Sequence, residues 1–241
     1  MTSVPPRILP SGDTALTVEF GSTIDTDINR RVLSLDRAAA REKIAGILET
    51  VPTYRSLLVH YDPLVIGFEA MSERLLELAR LPVEAANVAR RWRIPVVYGG
   101  TFGIDLDDVA RVHHITTDDV IARHTTNEYL VAMIGFTPGF AYLSGLDHSI
   151  ATPRRENPRT ETPAGTISIG GAQACVQCLA APSGWHLLGR TPVRTFHPKR
   201  NPVFLLEPGD QINFFKIVAT EFEALDRAAE KGESVAELVT S

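Results

Sequence analysis

The 241-residue sequence contains no G-x-x-x-x-G-K-[ST] element. Its four lysines, Lys43, Lys199, Lys216 and Lys231, follow no glycine loop, which excludes a P-loop cradling nucleotide phosphates. No G-x-G-x-x-G follows a strand and no G-x-S-x-G elbow occurs, so neither a Rossmann dinucleotide site nor an α/β-hydrolase nucleophile is present. The seven histidines are scattered without H-x-H or H-E-x-x-H spacing. Adjacent His113 and His114 cannot share one helix face, so no metal site is expected. No run approaches the roughly 18 apolar residues of a membrane-spanning helix. The opening M-T-S-V-P-P-R lacks the apolar core of a signal peptide, and a cytoplasmic location is the default expectation. The net charge of −5 and pI of about 5.8 provide no basic field for nucleic acid or an anionic membrane.

Cysteine is equally sparse. Cys175 and Cys178 form a single C-V-Q-C. That spacing suits a redox pair or half a zinc site. The flanking A-C-V-Q-C-L reads instead as a strand, in which residues three apart point to opposite faces. No second pair completes a zinc set, which favours two reduced thiols in the core or on the surface.

What remains is an ordinary globular composition, 44% hydrophobic and 22% charged, in a chain long enough for one large or two modest domains. Residues 1–85 read as one α+β unit. Leu16, Val18 and Phe20 alternate in a half-buried strand over 15–20. Asp25 or Thr26 caps a helix striped with Ile28, Val32, Leu35 and Ala39. Strands follow at 56–61 and 65–68, and Ser72 caps a short helix carrying Leu75, Leu76 and Leu78. This order predicts a small α+β sandwich with its helices on one face and His60 on the exposed face of a strand. Residues 82–92 shift in composition and can link two domains.

Residues 93–220 read as a β domain. A strand over 93–98 ends at Gly99-Gly100. Two short helices follow, one over 107–113 and one capped by Thr116 with Asp119 three residues on. Further strands are predicted at 129–134, 166–169, 174–179, 185–188, 203–206 and 211–217. Many short strands separated by Pro/Gly turns argue for a closed barrel. A C-terminal helix over 221–241 carries Phe222, Leu225, Ala228 and Ala229, with Gly232 as its stop.

Residues 133–191 are dense in glycine and proline, with aromatics and arginines between them. Arg154, Arg155 and Arg159 lie in a Pro-rich loop, and Arg190 follows Gly189 at a strand end. Guanidinium groups on a stiff loop suit carboxylate or phosphate; salt bridging with Glu156 and Glu161 is the plain alternative. Phe136, Phe140, Tyr142 and Trp185 line either an apolar pocket or barrel core. Gln173, after Gly170-Gly171, can orient a carbonyl or amide. Ser144 sits in a Gly-rich turn with no local base to activate it.

Three ordered segments carry a family resemblance: G-F-T-P-G-F-A-Y-L-S-G-L at 135–146, A-T-P-R-R-E-N-P-R-T-E-T-P-A-G-T-I-S-I-G-G-A-Q at 151–173, and P-S-G-W-H-L-L-G-R-T-P at 182–192. With I-P-V at 94–96, Y-G-G at 98–100 and Y-R-S-L at 54–57, the chain resembles the 5-oxoprolinase B-subunit family. That family is also labelled allophanate hydrolase subunit 1 or KipI-like, with carboxyltransferase domain C/D. Thr166 stands for its usual Ser and Ser183 for a Gly, and the family varies where Cys175 and Cys178 lie.

The resemblance implies an N-terminal α+β domain and a C-terminal cyclophilin-like β-barrel. It implies sister subunits C and A in a hetero-oligomeric, ATP-dependent 5-oxoprolinase, with this chain inactive alone. That enzyme opens the lactam of 5-oxoproline to glutamate after activating its carbonyl, with ATP shared among the subunits. Placed on the resemblance, Arg155, Arg190 and Gln173 are candidate catalytic residues. Phe136, Pro138, Gly139, Phe140, Tyr142, Arg154, Arg159, Pro163, Gly165 and Trp185 are candidate substrate contacts. Two alternatives stay open: an allophanate or urea-amide hydrolase or carboxyltransferase subunit, although the Ser-Ser-Lys amidase set is missing, and a non-enzymatic KipI-type inhibitor of a sensor histidine kinase.

Overall fold

The computed structural model describes residues 5–83 and 90–239. Contacts divide the chain into two compact units, one up to residue 87 and one from residue 88 on. Of the linker expected over 82–92, residues 84–89 lie outside the described residues, and Arg91 and Trp92 already belong to a strand.

The first unit runs β1 (Arg7–Pro10), β2 (Ala15–Glu19), α1 (Thr26–Glu42), β3 (Ile47–Pro52), β4 (Ser56–Tyr61) and α2 (Phe68–Ala79). Its sheet is antiparallel in the order β1-β2-β4-β3. Asp25 caps α1 by accepting from the backbone N–H groups of Asp27 and Ile28. Both helices cover one sheet face: Val32, Leu35 and Ala39 of α1 and Met71, Leu75 and Leu78 of α2 join Leu16, Val18, Leu57, Val59 and Tyr61 in one core. His60 alternates away from that core and is half-buried.

Two expectations fail here. Residues 65–68 are not a strand. The Asp62 carboxylate accepts from Leu64 N, and its carbonyl accepts from Val65 N and Ile66 N, so the chain coils directly into α2. Ser72 therefore lies inside α2, whose N-cap is Gly67. The strands β1 and β3, absent from the sequence reading, are the two sheet edges. Both contain or end at proline, which edges tolerate because one side of the strand needs no ladder partner.

The second unit runs β5 (Arg91–Tyr98), α3 (Leu106–Val112), α4 (Thr117–Thr126), β6 (Tyr129–Ile134), β7 (Ala141–Ser144), β8 (Arg159–Thr162), β9 (Thr166–Gly170), β10 (Gln173–Val176), β11 (Ala181–Ser183), β12 (His186–Arg190), β13 (Gln211–Lys216), α5 (Ala219–Glu230) and β14 (Glu237–Val239). Seven strands close a barrel in the order β12-β9-β10-β7-β6-β13-β5, with β5 pairing back onto β12. Only β5–β13 is parallel among these pairings. The interior is a continuous apolar core that includes Ile94, Val131, Leu143, Ile167, Ile169, Leu188 and Phe214. The α4 capping box forms as predicted, Thr116 and Asp119 each accepting from the other's backbone.

The barrel departs from the sequence reading in several places. Residues 203–206 form no strand; only Phe204 bridges, to Phe196. The 174–179 strand stops at Val176, where the Gln177 side chain turns to Thr162 and Leu179 and takes the chain out of the ladder. Ser144 lies in β7 rather than in a turn. The C-terminal helix ends at Glu230, ahead of Gly232 at φ +93°, and β14 then pairs with β5 instead of continuing the helix.

Candidate functional site

The turn joining β6 to β7 starts the site. Gly135 N donates to Phe140 O (3.1 Å) and Phe140 N donates to Thr137 O (3.0 Å). This tight connection forces Phe136 into the left-handed region at φ +70°, a strained conformation for a bulky side chain, and leaves its ring 66% exposed. An exposed aromatic held under strain points to a ligand rather than to packing.

Behind Phe136 the aromatics form a file. Phe136 meets Phe140 edge-on at 5.6 Å, Phe140 meets Tyr142 at 4.6 Å, and Tyr142 meets Trp185 at 6.0 Å. Trp185 lies against Gly170, where any Cβ would fall 2.7–2.9 Å from the indole, so only glycine permits that ring position. Cys175 packs beneath with Phe140 and Trp185. Both cysteines are free and buried, and burial pushes the Cys175 thiol up to about 12, which makes it an inert floor. Cys178 lies past the end of β10 and bonds the Phe196 backbone.

The arginine loop runs beside 184–186. Gly171 N donates to Thr152 O (2.7 Å), His186 Nε2 lies 2.8 Å from Pro153 O, and Arg155 N donates to Gly184 O (2.7 Å). Between these ties the Arg154 guanidinium sits over Trp185 at 5.4 Å. Among the described residues Arg154 has no ion-pair partner. Burial raises the Tyr142 phenol above its ordinary value, and the charge of Arg154 pulls it back. The resulting pocket of about 290 Å³ is lined by Phe136, Phe140, Tyr142, Arg154, Ser183 and Trp185, with Pro182 and Gly184 on its wall. A larger hollow of about 740 Å³ in the first unit has its charges engaged, Arg7 with Glu19 and Arg31 over Phe20.

The structure thus gathers Phe136, Phe140, Tyr142, Arg154 and Trp185 from the sequence candidates. The others do not line this pocket. Arg155 and Arg159 turn to Asp105, at 3.3 and 2.6 Å. This partner is neither Glu156 nor Glu161, the acids adjacent in sequence. Gln173 begins β10 and Gly139 is buried beside Thr195, which donates to its carbonyl. Pro138 is an exposed turn residue. Pro163 and Gly165 serve the backbone network of Thr166, Gln177 and Thr191. Arg190 ends β12, donating from Nε to Ala164 O (3.1 Å) and lying over Phe222; burial lowers its pKa. It lies five positions along the chain from Trp185, about 16 Å at the rise of a strand. Asp105, Pro182, Ser183 and Gly184 escaped the sequence reading. The P-S-G-W run marked the last three, whereas a single acid before a short helix gave no signal. Among the described residues no three His, Cys, Asp or Glu side chains gather to hold a metal, and no helix is long and apolar enough to cross a membrane.

A closed barrel carrying this pocket, preceded by an α+β unit, defines the class. The chain belongs to the family described as carboxyltransferase domain, subdomain C and D, whose model matches residues 6–206. It is 37% identical over 228 residues to the 5-oxoprolinase B subunit of Bacillus subtilis, covering 88% of this chain and 93% of that protein. Among solved structures, TTHA0988 is 34% identical with a TM-score of 0.76, covering 85% of this chain; the match spans 40% of that longer chain. The Kluyveromyces lactis urea amidolyase, 23% identical with a TM-score of 0.81, covers 97% of this chain with 16% of its own length and shares the fold.

Proposed function

We propose that this chain is the B subunit of an ATP-dependent 5-oxoprolinase and supplies the pocket for the lactam. The carrying observation is the aromatic file ending beneath an unpaired arginine: Phe136, Phe140, Tyr142 and Trp185, with Arg154 over the indole. A five-membered lactam bearing a carboxylate is flat, small and anionic at one edge. The rings provide apolar faces for it, and Arg154 provides a donor fork for the carboxylate. A volume of about 290 Å³ suits such a ring. It falls at the lower limit of ligand sites, roughly 300 Å³, and is too small for a nucleotide. With no phosphate-binding loop in the chain, ATP is assigned to the assembled enzyme with subunits A and C. Resemblance to a 5-oxoprolinase B subunit along nearly its full length supports the reading of this chain as a B subunit.

The test is co-purification of this chain with its A and C partners and an assay of 5-oxoproline-dependent ATP hydrolysis, with the chain alone as control. Activity is expected only in the full mixture. An assembled complex that ignores 5-oxoproline would overturn the reading, and allophanate is the substrate to try next.

A further inference from the structure

Asp105 is 2% exposed, precedes α3 and touches none of the pocket's lining residues directly, yet it ties together the two segments that carry them. Its Oδ1 accepts from Arg159 Nη2 at 2.6 Å, at the start of β8 just past the arginine loop, and from Arg155 Nη1 at 3.3 Å, within the loop next to Arg154. Its Oδ2 accepts from Leu187 N at 2.8 Å, two residues beyond Trp185, while Asp105 N donates to Leu187 O at 3.1 Å. Gly103 allows this approach: a Cβ there would lie 1.9 Å from Leu188 O. One buried carboxylate thus binds the strand that follows Trp185 to the loop that bears Arg154. A buried acid bonded by two guanidinium groups and a backbone N–H is fixed far more firmly than a surface pair.

We infer that Asp105 is a positioning residue that holds the Arg154 guanidinium over Trp185, setting the distance between the charged and apolar halves of the pocket. Neutralising Asp105 leaves Leu187 N an acceptor but removes the charge that Arg155 and Arg159 share, so the loop between Pro153 and Pro158 keeps its backbone ties at Thr152, Pro153 and Arg155 and loses the side-chain anchor next to Arg154. Asp105 matters to turnover only if the pocket takes the substrate as proposed, whereas its hold on Arg154 is read without any substrate.

The chain has two tryptophans, so labelling with 5-fluorotryptophan gives two fluorine signals. Trp92 donates to Asp210, in a separate hydrogen-bonded group, and serves as the internal control. Arg154→Gln moves the Trp185 signal and defines its position without the cation above it. Asp105→Asn is expected to move the Trp185 signal to that same position and leave the Trp92 signal in place. A folded Asp105→Asn protein with Trp185 at its wild-type position would overturn the inference; an Asp105 that only stabilises the fold would lower the melting temperature and leave that signal unmoved. If Asp105→Asn does not fold, Arg159→Met, at a partly exposed side chain, decides by the same criterion. In the assembled enzyme, Asp105→Asn is expected to raise KM for 5-oxoproline about tenfold with kcat within about twofold.

Discussion

His124 is fully buried in α4, stacked on Phe214 at 4.7 Å with Nδ1 2.8 Å from the Tyr98 hydroxyl. Desolvation lowers its pKa to about 3, so the folded protein holds a neutral imidazole through the whole physiological range. The unfolded chain takes up a proton on this residue below about pH 6.5. Its contribution is therefore intact above that pH and is lost as pH falls toward the folded value, at up to about 1.4 kcal/mol per pH unit. Both tryptophans lie in the barrel unit, so urea unfolding followed by their emission reports on the right part of the chain. Between pH 7 and 5 the wild type is expected to lose about 2 kcal/mol more than His124→Gln. Equal losses in the two proteins would show that the imidazole is protonated inside the barrel.

The connection from β5 to α3 does at the level of an element what Asp105 does as a residue: it brings the helix start against β12. Gly99 N donates to Leu188 O at 3.0 Å, and Gly103 passes so close to that strand that a methyl group has no room. Gly103→Ala is expected to cost about 3 kcal/mol, because backbone rather than a flexible side chain must yield. Gly100→Ala, three residues earlier at φ +53° and with open space around the position, is expected to cost about 1 kcal/mol from its dihedral alone. Thermal melts of the two variants check this; equal shifts would mean that the close approach at Gly103 relaxes freely. Connections of this kind are also where sequence reading stopped. Local signals carried α1, α4, β6, β9 and the barrel class, because each rests on a cap, a periodicity or a turn within a dozen residues. The aromatic members of the pocket were legible as large rings among glycines but open between pocket wall and barrel core, because only the fold sets which ring faces reach the surface. The partner of Arg155 and Arg159 was not, because Asp105 lies some fifty positions upstream in sequence and only barrel closure brings it in. β8 and β11 were hidden for a related reason: a Pro-rich loop pairs with another Pro-containing segment, and neither alternates in hydrophobicity.

Across the barrel, β12 holds two arginine environments of opposite character. At its start, Arg154 is solvent-exposed over Trp185; at its end, Arg190 is half-buried over Phe222, where burial lowers its pKa against the pull of Asp226, which itself pairs with Arg194 at 2.5 Å. A desolvated cation of this kind is a functional pointer in its own right, which makes Arg190 a second candidate for work on an anion. The strand rises about 16 Å from Trp185, under Arg154, to Arg190, and that spacing decides whether one small molecule can meet both ends. A 5-oxoproline ring does not bridge that distance, so the proposed lactam site reaches Arg154 and not Arg190. In the assembled enzyme, Arg154→Gln is expected to lower kcat/KM for 5-oxoproline at least tenfold through KM, as loss of a charge-assisted hydrogen bond of roughly 1.5–3 kcal/mol requires. Arg190→Gln is expected to leave KM unchanged, and in the double variant the two losses should add within about 0.5 kcal/mol, as they do for distant sites. A larger coupling would bring both guanidinium groups onto one substrate, and the lactam would then have to lie along β12 rather than in the aromatic pocket at its start.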